Sequence, residues 1–125
     1  MKRFALAMLA TALAVTPAAH AAEQMDPALK EKARRAIDAG LHYLRGQQAE
    51  DGSLSKSVGI TALSLRGFLE SHRGYNEGDG PFVTRQVDFI LSKVNPDGSI
   101  SESLQNRSYN TAVALVALGA AKNPK

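Results

Sequence analysis

The spacing of apolar positions divides this chain into two kinds of helix. Leu29, Ala33, Ile37, Leu41 and Leu44 recur at helical spacing on one stripe, with Ala36 and Gly40 beside them. Lys30, Glu31, Lys32, Arg34, Arg35, Asp38, His42 and Arg45 cover the opposite side. Asp26-Pro27 opens this segment with a capping acceptor followed by the residue best suited to a first helical position. A second amphipathic stretch starts near Pro81 and spaces Val83, Val87, Ile90, Leu91 and Val94 in the same way. The segments that follow each of these are different. Val58 to Leu69 places Val58, Ile60, Ala62, Leu63, Leu65, Phe68 and Leu69 nearly all the way round, and Ala112 to Ala121 has no polar side chain. A helix apolar on every side needs protein around it, and ten residues are too few to cross a bilayer. The pattern predicts an all-α chain in which outer amphipathic helices alternate with inner apolar ones.

The alternation is a repeat. Leu41-His42-Tyr43-Leu44 aligns with Val87-Asp88-Phe89-Ile90, and Asp51-Gly52-Ser53-Leu54-Ser55 with Asp97-Gly98-Ser99-Ile100-Ser101, both at an offset of 46 residues. Thr61-Ala62-Leu63-Ser64-Leu65 aligns with Thr111-Ala112-Val113-Ala114-Leu115 at an offset of 50, so the second copy carries four extra residues within Glu102 to Ser108. The two copies span about residues 28–72 and 81–121, each reading as helix, turn, helix.

The run Gly40 to Leu54 resembles the QW repeat of squalene and hopene cyclases and of the related prenyltransferase-type α/α toroids. Tyr43, Gln47, Asp51 and Gly52 carry the likeness in the first copy, with Leu54 at the tryptophan position. Phe89, Asp97 and Gly98 carry it in the second, where Lys93 stands at the glutamine position and Ile100 at the tryptophan position. The resemblance implies two hairpins of an incomplete toroid, whose repeats brace outer helices against one another and perform no reaction. A glutamine at the end of an outer helix is then expected to bond unsatisfied backbone groups at a neighbouring helix terminus. Asp-Gly supplies the chain reversal, and with Leu54 and Ile100 in place of tryptophan the stacking part of the brace is absent.

Reactive groups are hard to find. The Asp-x-Asp-Asp cluster of the cyclases does not occur, and the lack of cysteine removes both the zinc ligand of the protein prenyltransferases and the thioester of complement-type toroids. No catalytic residue, metal site or cofactor is expected. His42 reads as a solvated surface residue, and His72 with Arg73 as positive charge at a helix end. Asn76, Glu77 and Asp79 lie in a Gly-rich acidic turn that fits no EF-hand. Asp51 and Asp97 occupy equivalent repeat positions, which points to turn formation. One polar cluster, Asn106 to Asn110, precedes the apolar stretch at Ala112. If inner helices line a cavity, Thr61, Tyr109 and Thr111 sit at its mouth; the plainer reading is capping by Ser108 or Asn110.

The first residues change the picture of charge and location. Lys2 and Arg3, the apolar stretch Phe4 to Val15 and Ala19-His20-Ala21 make a signal peptide, residues 1–21, with cleavage expected after Ala21. This leaves residues 22–125 as the repeat domain, with 13 basic and 12 acidic side chains. A net charge of about +1 gives no support to nucleic-acid binding. The product is expected in the periplasm or outside the cell, without a transmembrane anchor.

Four helices are fewer than the roughly dozen that close a family toroid. Two readings follow: the first part of a longer exported toroid, which is favoured, or a small protein that associates with itself. The leading expectation is an exported, non-catalytic repeat module that binds a protein or a hydrophobic ligand. The alternative is the N-terminal fragment of an isoprenoid cyclase or prenyltransferase whose catalytic residues lie in missing sequence. A polysaccharide-active toroid would need a carboxylate pair lining a cleft, and none is convincing.

Overall fold

The computed structural model describes residues 25–121, which hold four α-helices, one short 3-10 turn and no strand. The signal-peptide assignment lies outside the described residues. The helices are α1 (Pro27–Gln47), α2 (Val58–Glu70), α3 (Pro81–Leu91) and α4 (Arg107–Ala121). The chain is therefore all-α, as its apolar spacing predicts, and none of the described helices is long and apolar enough to cross a membrane.

Local chemistry sets the helix boundaries. Pro27 occupies the first turn of α1, and the Asp26 carboxylate accepts hydrogen bonds from the backbone N–H groups of Ala28 and Leu29, both at 3.1 Å. Ser57 caps α2 by accepting from the N–H of Ile60 at 3.4 Å. Between α2 and α3, the N–H of Asn76 donates to the Asp79 carboxylate at 2.7 Å, and the N–H of Gly78 donates to the Asn76 side chain at 2.8 Å. The acidic turn thus spends Asn76 and Asp79 on its own backbone, as a capping box around the 3-10 turn Glu77–Asp79. Among the described residues no group of three His, Cys, Asp or Glu side chains could hold a metal ion.

The core lies where α2 packs most extensively on α4 and, less so, on α3. Val58, Ala62 and Leu65 of α2, Val83 and Ile90 of α3, and Ala114 and Ala117 of α4 are fully enclosed. Small residues on α4 allow the two inner helices to approach closely. At one end Phe68, Tyr75 and Phe82 form a triangle of edge-to-face rings, with centroids 5.2 to 5.9 Å apart.

Two expectations about burial are corrected here. The stripe on α1 is only partly used: Leu41 is buried, whereas Leu29 and Ile37 are 54% and 43% exposed. Among the described residues α1 packs on α2, and its Arg45 also reaches the Phe82 ring of α3. The inner helices are not enclosed on all sides either. Ile60 and Leu63 on α2 are each 47% exposed, and Leu115 and Val116 on α4 are 60% and 51% exposed.

Candidate functional site

Each repeat carries the same turn. Asp51 accepts from the hydroxyl of Ser53 at 2.7 Å and from its N–H at 3.0 Å; Asp97 accepts from the hydroxyl of Ser99 at 2.6 Å and from its N–H at 3.0 Å. In both cases the serine hydroxyl, with the serine N–H adding to it, holds the carboxyl below its ordinary pKa. Gly52 and Gly98 turn the chain with φ of +88° and +83°. The carbonyls of Ser53 and Ser99 then accept from the N–H groups of Ala49 and Asn95 at 2.9 and 2.7 Å.

A threonine ties each turn to its inner helix. The N–H of Leu54 donates to the Thr61 hydroxyl oxygen at 2.9 Å, and that of Ile100 to the Thr111 hydroxyl oxygen at 3.0 Å. Each threonine hydroxyl donates one helical turn back, Thr61 to the Ser57 carbonyl at 2.7 Å and Thr111 to the Arg107 carbonyl at 2.8 Å. Leu54 and Ile100, at the tryptophan positions, are 3% and 5% exposed and fill the space beneath their turns.

The residues expected at a cavity mouth differ in burial. Thr61 is fully buried with its hydroxyl engaged, so it cannot face a ligand, and Thr111 is half-buried in the equivalent bond. Tyr109 alone of the three is largely open, at 55%. Nor does the polar cluster precede the inner helix: α4 begins at Arg107, after Asn106 takes a φ of +56°. Ser108 and Asn110 therefore lie inside α4 and do not cap it. Asn110 is buried and donates to Ser101 and Glu102 at 3.3 and 3.1 Å.

The aromatic and glutamine positions also separate. Phe89 is 5% exposed, whereas Tyr43, its equivalent, is 64% exposed. Gln47, the last residue of α1, is exposed. The bridging bonds come from Gln48, whose side-chain amide donates to the carbonyls of Gly52 at 3.1 Å and of Phe82 in α3 at 3.0 Å. Helix α1 has already ended there, and the extended backbone of Gln48 aims its side chain across to α3. Lys93, at the second glutamine position, sets its ammonium 5.2 Å from the Phe89 ring centroid.

One structural tie lies outside the repeated motif. Glu102, at the start of the four-residue insertion, accepts from the N–H of Val58, the first residue of α2, and from the Asn110 amide, both at 3.1 Å. Its sequence signal is the insertion itself, an acidic side chain present in one copy only.

The chain is similar to a terpenoid cyclase. Over 109 aligned residues it is 30% identical to the lanosterol synthase of Homo sapiens, covering 73% of this chain and 15% of that protein. No family model and no solved structure matches. The cyclase likeness thus takes in most of this chain and a small part of the relative. Alongside the paired turns, the surface offers an apolar groove of about 370 Å³ between α1 and α2, lined by Ile37, Leu41, Leu44 and Gly67 with Arg66 and Glu70 at its rim. These two rim residues form an ion pair at 2.7 Å.

Proposed function

We propose that this chain is a squalene cyclase-like helical repeat module, non-catalytic as it stands, that works outside the cytoplasm by binding a protein or a hydrophobic ligand. The observation that carries this reading is the set of large apolar side chains left open on both inner helices: Ile60, Leu63, Leu115 and Val116. Open apolar area of this kind favours association. Further repeats, a second copy or a lipid-like molecule would all cover it, and the groove between α1 and α2 adds further open apolar surface. The duplicated turns have a scaffold role in this reading, since their carboxylates and threonines are already committed to backbone and serine groups.

The test is the native mass of residues 22–125 by analytical ultracentrifugation, together with uptake of squalene. The expected result is a concentration-dependent oligomer or a squalene complex, weakened by Leu63→Glu and Leu115→Glu. A compact monomer that takes up no squalene and recovers no partner protein from a periplasmic or secreted fraction would overturn the proposal. A second reading, part of an isoprenoid cyclase, draws on the similarity to lanosterol synthase. Turnover of squalene by residues 22–125 alone, or an Asp-rich segment encoded in frame after Lys125, would favour it.

A further inference from the structure

A second concavity lies along α1 and shares Leu41 with the first groove. Its volume is about 210 Å³, and α1, the end of α2, the loop after it and the start of α3 all contribute to it. Leu41, Phe68 and Phe82 supply an apolar floor and are 8%, 2% and 6% exposed. The wall carries two arginines. Arg45 brings its guanidinium to 4.2 Å from the Phe82 ring centroid, and His42 and Arg73 also line the space. Asp38 is the one carboxylate in the lining, and its charge is already matched. Arg73 donates to it through two nitrogens at 2.9 and 2.6 Å, and the His72 ring nitrogen lies at 3.2 Å. The Arg73 hydrogen bonds hold the Asp38 carboxyl below its usual pKa, so it stays ionised and keeps Arg73 in place.

We propose that this pocket binds a small carboxylate with a compact apolar body, its charge against Arg45 and its body on Leu41, Phe68 and Phe82. The Arg45 guanidinium is held over the Phe82 ring, and a guanidinium carries a planar fork of N–H donors that suits a carboxylate. The volume is below the ~300–1,000 Å³ of common ligand pockets, which limits the body to about one ring. Fatty acids and extended isoprenoids are too long to be enclosed. The site is independent of the packing role proposed for α2 and α4, which expose a different set of residues.

Benzoate is a suitable probe, with benzamide as the uncharged match and acetate as the charge without a body. Titration of isotope-labelled protein followed by NMR reads all three. Benzoate is expected to shift the amides around Asp38–Arg45 and Arg73–Phe82, to bind about ten- to a hundredfold more tightly than benzamide, the range of one charge-assisted contact, and to bind more tightly than acetate, which lacks the ring. Arg45→Gln should remove that preference, with folding checked by circular dichroism, while Arg66→Gln across α2 should leave it intact. Equal binding of benzoate and benzamide to the unaltered protein would overturn the proposal without recourse to any variant. So would benzoate shifts confined to residues outside the pocket, or no shifts at all.

Discussion

The two copies of the Asp-Gly-Ser turn provide their own controlled comparison. Gly52 and Gly98 share nearly the same backbone, with φ of +88° and +83°, but they face different surroundings. A Cβ added at Gly98 meets nothing within 4 Å, whereas one at Gly52 falls on the Arg85 carbonyl group and 2.6 Å from the Arg85 Cβ. Alanine at either position incurs the left-handed backbone penalty, roughly 1–2 kcal/mol. Only Gly52→Ala also forces the turn away from α3, where the obstacle is helical backbone that cannot rotate aside. Overpacking of this kind costs ~1–3 kcal/mol. Gly98→Ala should therefore lose roughly 1–2 kcal/mol and Gly52→Ala roughly 2–5 kcal/mol. For a domain of this size each kcal/mol moves Tm by about 4–8 °C. Thermal and urea unfolding followed by circular dichroism, at one fixed protein concentration, measures both. Equal losses, or a larger loss at Gly98, would refute the view that contact between turn and α3, and not turn geometry alone, demands glycine at position 52.

Three further outcomes are expected. Thr61→Val should cost about 1–3 kcal/mol by stranding the buried Leu54 N–H, and Thr111→Val less, because Thr111 is only half-buried and water can enter beside it; paired unfolding curves decide the order. Glu102→Ala should cost about 1–2 kcal/mol and speed amide exchange at Val58, and unchanged exchange there would exclude a capping role. Asp38, Asp51 and Asp97 all have depressed pKa values in the folded chain. Their stabilising contribution is therefore present above the unfolded carboxyl value of about 3.9 and is lost as pH falls through the lower folded values. Stability should decline below about pH 4, and Asp51→Asn with Asp97→Asn should flatten that decline in acid-unfolding curves.

What could be read from the sequence was the chemistry that stays local. Asp, Gly and Ser within three positions form a turn through their own side chains, so a repeat at fixed offset was visible before any contact was known. Thr61 and Thr111 stood out for the same reason, although as equivalent positions they look alike whether they face a cavity or tie down a turn. Burial and an engaged hydroxyl decide for Thr61. Gln47 and Gln48 could not be separated because the answer depends on where α1 stops, and one residue of helix changes the direction of a side chain by about 100°. The start of α4 was missed because Asn106, a residue that tolerates positive φ, admits the helix several residues before the apolar run. The bond from Glu102 to Val58 spans 44 residues, and the pocket beside Arg45 gathers four separate segments. Neither leaves a periodic trace.

The position of Glu102 has a consequence for how stability is shared along the chain. The first inner helix receives its starting cap from the loop of the copy that follows, while the end of the first outer helix reaches forward to α3 through Gln48. The thermodynamic unit is consequently staggered against the sequence repeat: a cut near Ser71–Tyr75 would separate two similar-looking halves and leave the first N–H of α2 without its carboxylate, with Ser57 as the remaining cap. Neighbouring copies should melt as one body, with each lending the previous one its closing latch.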